Sequence, residues 1–365
     1  MGVRKLNKFL IDKRLINEYQ TLEEYINIIR SDPSRNNRFD NKIVIAIDFW
    51  LYMHKFLHSS RSTNIVIAFF NQIIRFLNLG IIPIYIADGY VPVEKEEEHN
   101  DRILNREKQI NKIHELDLEI QGFNDKYQNI SEDDGFTSDL DLIHKRDVLL
   151  KNVKRATKDE IDEIIKVFDI MNISFVRAQY EADALCTLLY REKMITACLS
   201  DDMDMLALGC GSTIRIEKGK IIEYDLKYIL ESLELNQEQF IDLCIIFGCG
   251  YLKHTIRVDT ESAYIMIRES GNLLDALFSG IYPDFNIEIK NINVIGEGYH
   301  NVSDIYLDAP NNENINFTIE IPHLDISSII NHLRNVNWFH ASAKNINYLR
   351  SDLMKAIRFL NHDYN

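Results

Sequence analysis

The sequence predicts an α/β protein with a mostly parallel central sheet covered by helices, and three observations carry that expectation. Apolar runs at 43–48 (IVIAID), 81–88 (IIPIYIAD) and 195–200 (ITACLS) are continuous rather than alternating, as strands buried on both faces are. Stretches with helical spacing separate them, which is the pattern of strand–helix–strand units. Each run also ends at acids: Asp48, Asp88, and the group Asp201, Asp202 and Asp204. Ligands of parallel sheets bind in the crevice beyond the carboxyl ends of the strands. Three strands therefore deliver carboxylates to one edge.

The elements follow in order. Residues 1–30 read as helix, with Leu6, Phe9, Leu10 and Ile11 on one face. Residues 63–79 form an apolar-rich helix between the first two strands. From 94 to about 160 the chain is charge-dense and poor in large apolar residues, with a non-core patch at 131–139 (SEDDGFTSD). That stretch reads as long exposed helices joined by a polar link. Helix is expected at 158–171 and 180–193, with a short strand at 173–177 (ISFVR) between them. Residues 213–224 alternate around Gly219 as a β-hairpin does. Beyond 225 the chain reads as mainly helical, apart from a strand-like stretch near 315–321. No internal repeat is present.

Length and composition bound the possibilities. A chain of 365 residues, 46% hydrophobic and 27% charged, allows two or three packed units. No apolar run reaches the ~18–20 residues of a membrane span, and MGVRKLNKFL lacks the form of a secretory signal. Gly2 is followed by Leu6 where a myristoylation motif has Ser or Thr. A soluble intracellular protein without membrane partners is expected. Five cysteines in apolar stretches, with no CxxC pair, read as buried reduced thiols. The net charge of −15 argues against a non-specific nucleic-acid coat protein, since phosphate binding shows as basic excess. It is compatible with a nuclease whose own metal-binding acids contribute to it. Abundant Ile and Asn with scarce Ala is the usage of an AT-rich genome.

A single Asp after a strand is commonly a helix N-cap or a turn residue. Recurrence on three strands is what carries weight, because clustered carboxylates repel unless cations sit among them. Glu181 and Asp183 open the helix after ISFVR, where helix dipoles also favour acids. Oxygen-only ligands suit Mg²⁺ or Mn²⁺, and two such ions about 4 Å apart are the usual device for phosphodiester hydrolysis. No GxSxG, P-loop or GxGxxG supports another chemistry.

Six segments in order, MGVRKLNKFL, VIAIDFWLYMHKFL, IADGYVPVEKEEEHNDR, QYEADALCTLL, CLSDDMDMLALG and LNQEQFIDLCIIFGCGY, give the chain a family likeness. It resembles the flap endonucleases, the XPG-type structure-specific 5′ nucleases. The resemblance covers about 1–250, including the spacing of 21 residues from Glu181 to Asp202. It implies a PIN-like 5′ nuclease fold with a helical arch and a mainly helical C-terminal region. The implied division is 1–102 and 158–250 for the nuclease domain, 103–157 for the arch, and 251–365 for a C-terminal region with a degenerate helix-two-turns-helix.

The resemblance also implies roles. Asp48, Asp88, Glu181, Asp183, Asp202 and Asp204 would hold two Mg²⁺ ions, with Mn²⁺ as a substitute. Lys95 and Arg102, seven residues apart, would face the scissile phosphate. Gly2 near the amino terminus, His54 beside Trp50 and Tyr52, and the arch residues Lys154 and Arg155 would contact nucleic acid, as would Arg257. The implied activity is 5′ flap endonuclease and 5′→3′ exonuclease on branched or nicked DNA in replication, recombination or repair. A catalytically weak or inactive junction-binding protein, and a related nuclease acting on RNA, stand as alternatives. The C-terminal FLNHDYN has no sliding-clamp motif, and a monomer is expected. The nucleus and a cytoplasmic viral replication site both remain open as locations.

Two departures bear on this expectation. The family's G-x-D-Y block reads Gly248-Cys249-Gly250-Tyr251, so glycine replaces its seventh acid; Asp259 or water would have to take that place. The Gly-rich loop of the helix-two-turns-helix reads TIRVDTESAY at 255–264, without glycine and with Arg257 as its one obvious cation.

Overall fold

The structure is a computed structural model that describes residues 2–35, 42–58, 64–127, 136–251, 256–278, 288–289, 301–335 and 343–361. A seven-stranded sheet organises it. The central strand β2 (Ile43–Asp48) lies parallel to β3 (Ile81–Ala87) on one side and to β5 (Ala197–Leu199) on the other. Strand β4 (Ser174–Arg177) extends the sheet in parallel beyond β3, and β6 (Ser212–Glu217) does so beyond β5. The hairpin partner β7 (Lys220–Asp225) and the edge strand β1 (Asn17–Tyr19) are antiparallel. The order is β1-β7-β6-β5-β2-β3-β4.

Continuous apolar strands follow from cover on both faces. Ile43, Ile45 and Ile47 of β2 face a core shared with α4 (Ile65–Leu77), where Phe69, Ile73 and Leu77 are buried. The alternate residues Val44 and Ala46 face α8 (Ala182–Arg191) through Leu185 and Leu189. Each such ring or branched side chain contributes roughly 1.5–3 kcal/mol when fully buried. Pro83 is tolerated in β3 because β4 begins its pairing only at Ile84, so no ladder bond is lost on that side.

The remaining helices follow in chain order: α1 (Leu6–Asp12), α2 (Leu22–Ser31), α3 (Phe49–Leu57), α5 (Glu96–Tyr127), α6 (Phe136–Val153), α7 (Lys158–Ile170), α9 (Asp204–Ala207), α10 (Leu226–Leu233), α11 (Gln237–Phe247), α12 (Thr260–Ser270), α13 (Leu273–Phe278), α14 (301–308), α15 (Ile326–Asn335) and α16 (Ala343–Asn361). Helices α5 and α6 pack on each other antiparallel, with Arg106 donating to the Val153 carbonyl and Arg146 pairing with Asp117. Their sequences are polar because most of each helix faces solvent; Ile113 and Leu116 are buried. A second core joins α1, α11 and α12 through Phe9, Phe247 and Tyr264. Helices α15 and α16 return to the β2–β3 face and bury Leu333, Leu353 and Ala356 there.

Two sequence expectations need correction. The stretch 1–30 is not one helix: α1 stops where Arg14 takes a positive φ of 57°, and the chain then adds β1 to the sheet edge before Thr21 caps α2. Tyr19 anchors that edge by donating to the buried Glu223 at 2.8 Å. The stretch 315–321 forms no strand. Ile315, Phe317 and Ile319 pack onto the sheet face beside Val44 and Ile84, so their alternation reflects packing without a ladder.

The chain runs from β2 outward to β3 and β4, then crosses through α8 to place β5 on the other side of β2. The order therefore reverses between β2 and β5. A crevice opens there at the carboxyl ends of the strands.

Candidate active site

A cleft of about 170 Å³ occupies that crevice, and all six acids line it together with Lys95, Arg102, Gly2 and Gly250. Asp48 ends β2 and caps α3, its Oδ1 accepting from the Leu51 N–H at 2.9 Å. Asp88 follows β3 and accepts from the Ala182 N–H at 2.8 Å, tying the second strand to the start of α8. Glu181 and Asp183 stand at that start. Asp202 follows β5 and accepts from the Asp204 N–H at 3.0 Å, while Asp204 begins α9 and is buried.

Burial and mutual repulsion disfavour the ionised forms. Burial, then Asp88 and Asp202, pushes Asp48 up to about 7. Asp204 rises to about 7 through burial and the charge of Asp202. Asp183 is raised well above the usual carboxylate range by burial, Asp202 and Asp48, and Asp88 is raised chiefly by burial.

Lys95 sits in the short turn Val93–Lys95 that leads into α5. Its ammonium lies 2.6 Å from Glu181 Oε1 and 3.8 Å from Asp204 Oδ2, over the Tyr251 ring at 4.3 Å. Burial works against that charge, but Glu181, Tyr251 and Asp204 outweigh it and raise the Lys95 pKa. Tyr251 donates to Glu181 Oε2 at 2.5 Å and Tyr306 donates to Asp204 Oδ1 at 3.0 Å. Among the described residues no three ligand-type side chains close on one point at metal spacing; Lys95 stands between two of the acids instead.

The residues nonetheless fit a hard divalent cation. Every candidate ligand is a carboxylate oxygen. Asp183 Oδ1 is shut off from solvent and has no hydrogen-bond partner, an orphaned acceptor that a cation would satisfy. Gly2 comes close enough that a Cβ on it would lie 1.8 Å from Asp202 Oδ1, and its φ of +75° is one that glycine adopts freely. Gly2 is thereby pressed against the acids.

The other sequence-predicted contacts lie outside the cleft. His54 is on the exposed side of α3, its ring 4.2 Å from that of His58, while Trp50 lines the cleft. Burial, then His54 and Lys154, lowers the His58 pKa, so Lys154 at the end of α6 belongs to the same cationic neighbourhood. Arg155 is exposed beside it, and Arg257 is exposed on the two-residue strand β8 (Ile256–Arg257). Asp259 does not fill the place of the missing acid. It caps α12, accepting from the Glu261 and Ser262 N–H groups, and hydrogen bonding from the Ser262 side chain, then from these N–H groups, lowers its pKa.

Three residues escaped the sequence reading. Glu98 lines the cleft, and its spacing from Lys95 and Arg102 was the signal available. Tyr306 carried no local signal. Glu313 is 4% exposed and accepts from the N–H groups of Gln179, Tyr180 and Glu181 at 2.7, 2.8 and 3.2 Å, holding the loop that presents Glu181. No motif surrounds it.

Fold and cleft together define the class: a hydrolase of phosphodiester bonds, a nuclease of the 5′ nuclease fold. The XPG N-terminal domain matches residues 1–109 and the XPG I-region matches residues 172–250. Flap endonuclease 1 of Candida tropicalis is 31% identical over 292 residues, covering 75% of this chain and 69% of that protein. Flap endonuclease 1-B of Physcomitrium patens is 27% identical over 294 residues, covering 75% and 74%. The fold is shared with the catalytic core of Rad2 in complex with DNA substrate (TM-score 0.63, 19% identity, 97% and 100% covered). It is shared also with flap endonuclease-1 from Methanococcus jannaschii (TM-score 0.57, 18% identity, 94% and 96% covered). The chain belongs to the XPG-type flap endonuclease family, whose nucleases depend on divalent cations.

Proposed function

We propose that this chain is a 5′ flap endonuclease and 5′→3′ exonuclease of branched or nicked DNA, working in replication, recombination or repair. One observation carries the reading: six carboxylates, Lys95 and Arg102 line a single cleft at the switch point of the sheet. Asp48, Asp88, Glu181, Asp183, Asp202 and Asp204 would hold two Mg²⁺ ions, for which Mn²⁺ substitutes. Bound there, the metal supplies an activated water and charge stabilisation at the phosphate. Lys95, held by Glu181 and over Tyr251, offers its ammonium to the phosphate on which negative charge develops. Arg102 extends the same positive face toward the strand. Residues 103–157, in which most of α5 packs antiparallel on α6, are the arch for a free 5′ end, with Lys154 and Arg155 beside His54 as a phosphate track. The chain acts as a monomer, in the nucleus or at a cytoplasmic viral replication site.

A second reading, junction binding without hydrolysis, is favoured by Gly250, which leaves its position without a carboxylate. Cleavage of a 5′-end-labelled flap duplex in Mg²⁺ and in Mn²⁺ separates the two, with Asp88→Ala and Asp202→Ala as controls. Cutting near the junction, lost in both variants, is expected. Selective flap binding with no cutting in either metal would establish the second reading, and preference for a matched RNA flap would redirect the first.

A further inference from the structure

We propose that Glu98 is a seventh carboxylate of this cleft, a metal-facing residue that occupies the space Gly250 leaves open. The inference rests on the reading of the cleft as a divalent-metal site.

Position comes first. Glu98 lies in the first turn of α5, three residues after Lys95 and four before Arg102. That spacing puts Glu98 and Arg102 on one face of α5, Lys95 lies in the turn just ahead of it, and all three line the acidic cleft. The carboxylate is 34% exposed, so it sits at the rim rather than out in solvent.

The relation to Gly250 is the decisive geometry. A Cβ built on Gly250 would lie 2.7 Å from Glu98 Oε2, 3.4 Å from its Cδ and 3.7 Å from Oε1. The Glu98 carboxylate therefore fills the volume in which a side chain at 250 would begin. Gly250 is not among the glycines with positive φ, so its backbone does not itself demand glycine. What the absent Cβ does is admit Glu98. An acid delivered from the opening turn of α5 takes the place of one delivered from the loop after α11.

The two oxygens of Glu98 are used differently. Oε1 accepts from Arg102 Nη2 at 2.7 Å, while Oε2 is the atom against Gly250, at the cleft wall. Independently of Glu98, the solvent-excluded and unpartnered Oδ1 of Asp183 marks the same cleft as short of a cation. Glu98 thus adds a carboxylate oxygen to the cleft that Asp183 also lines, and it holds Arg102 at the rim.

The test is Mn²⁺ binding to the full chain without DNA, followed by isothermal titration, with thermal melting as the check on folding. Glu98→Gln keeps the size of the side chain and its place at the rim of the cleft. It is expected to weaken Mn²⁺ binding about 10-fold or more. Gly250→Asp in the natural background crowds Glu98 and is expected to bring no gain. Combined with Glu98→Ala, which vacates the crowded volume, it is expected to restore affinity to within about 3-fold of the natural chain, on the scale of the loss a ligand contact represents. Unchanged Mn²⁺ affinity in Glu98→Gln, with binding lost in Asp202→Ala, would overturn the role of Glu98 and leave the metal cleft standing. Unchanged affinity in Asp202→Ala as well would overturn both. A tighter site in Gly250→Asp alone would show that Glu98 does not fill that place.

Discussion

The Lys95 ammonium and the Glu181 carboxylate stand 2.6 Å apart, so a candidate metal ligand already carries a protein cation. Two functions of Lys95 follow, and they pull in opposite directions. It competes with a metal for Glu181, and it offers positive charge to the phosphate. Lys95→Met is expected to bind Mn²⁺ more tightly than the natural chain, yet to cut a 5′-flap duplex about 10²–10³-fold more slowly, the usual loss when one charge-stabilising group is removed. Titration calorimetry and single-turnover cleavage read the two effects separately. Weaker metal binding in Lys95→Met would contradict the competition.

The acids set a pH dependence whose sign is determined by their raised pKa values. Asp48 and Asp204 move from 3.8 up to about 7 in the fold. The folded protein then binds more protons than the unfolded chain between those values, so metal-free stability falls as pH rises through that window. Melting temperature without divalent metal is expected to drop from about pH 4 toward about pH 7, the two ends of that window, and to level off above it. Saturating Mg²⁺ should reverse the trend, because metal requires the ionised carboxylates. Cleavage should fall in acid for the same reason. Activity that climbs as pH drops toward about 5 would contradict the metal site.

Gly2 is set against Asp202 closely enough that no side chain fits. Gly2→Ala places a methyl group 1.8 Å from Asp202 Oδ1 and adds the strain of a positive φ. A stability loss of about 1 kcal/mol or more is expected from the backbone alone. Flap cleavage should fall more than stability does, since displacement of Asp202 reaches the cleft directly. Urea unfolding beside cleavage rates measures both.

Glu313 reaches the site from the C-terminal region by accepting three N–H groups ahead of α8. Glu313→Ala leaves those donors unsatisfied and is expected to cost about 1–3 kcal/mol. It also frees the loop that carries Glu181. A flap cleavage rate unchanged in a folded Glu313→Ala protein would limit Glu313 to stability.

Much of the scaffold is readable in the chain itself. The runs at β2 and β3 are apolar throughout because helices cover both of their faces, and a continuous apolar run has few other uses in a chain this charged. The hairpin β6–β7 announced itself through alternation around Gly219. The amino-terminal 30 residues misled, because α1 and α2 share an apolar spacing across a break that only the pairing of β1 with β7 imposes. At 315–321 alternation arose from contact with a sheet face, and periodicity alone does not distinguish that from a ladder.

The site divides along the same line. Local order in the sequence determined that three strands end at acids, that two more acids open a helix, and that Lys95 and Arg102 stand seven residues apart. Strand ends and helix starts are near-neighbour properties, so they survive without knowledge of the fold. Tertiary structure alone decided that Lys95 pairs with Glu181, that Tyr306 and Glu313 come from the far end of the chain to hold Asp204 and the Glu181 loop, and that Asp259 is spent capping α12. It also decided that the glycine at 250 stands against the carboxylate of Glu98. Residues separated by more than a hundred positions meet only through the packing of whole elements, and the periodicity of a sequence carries no record of which distant side chains share one cleft.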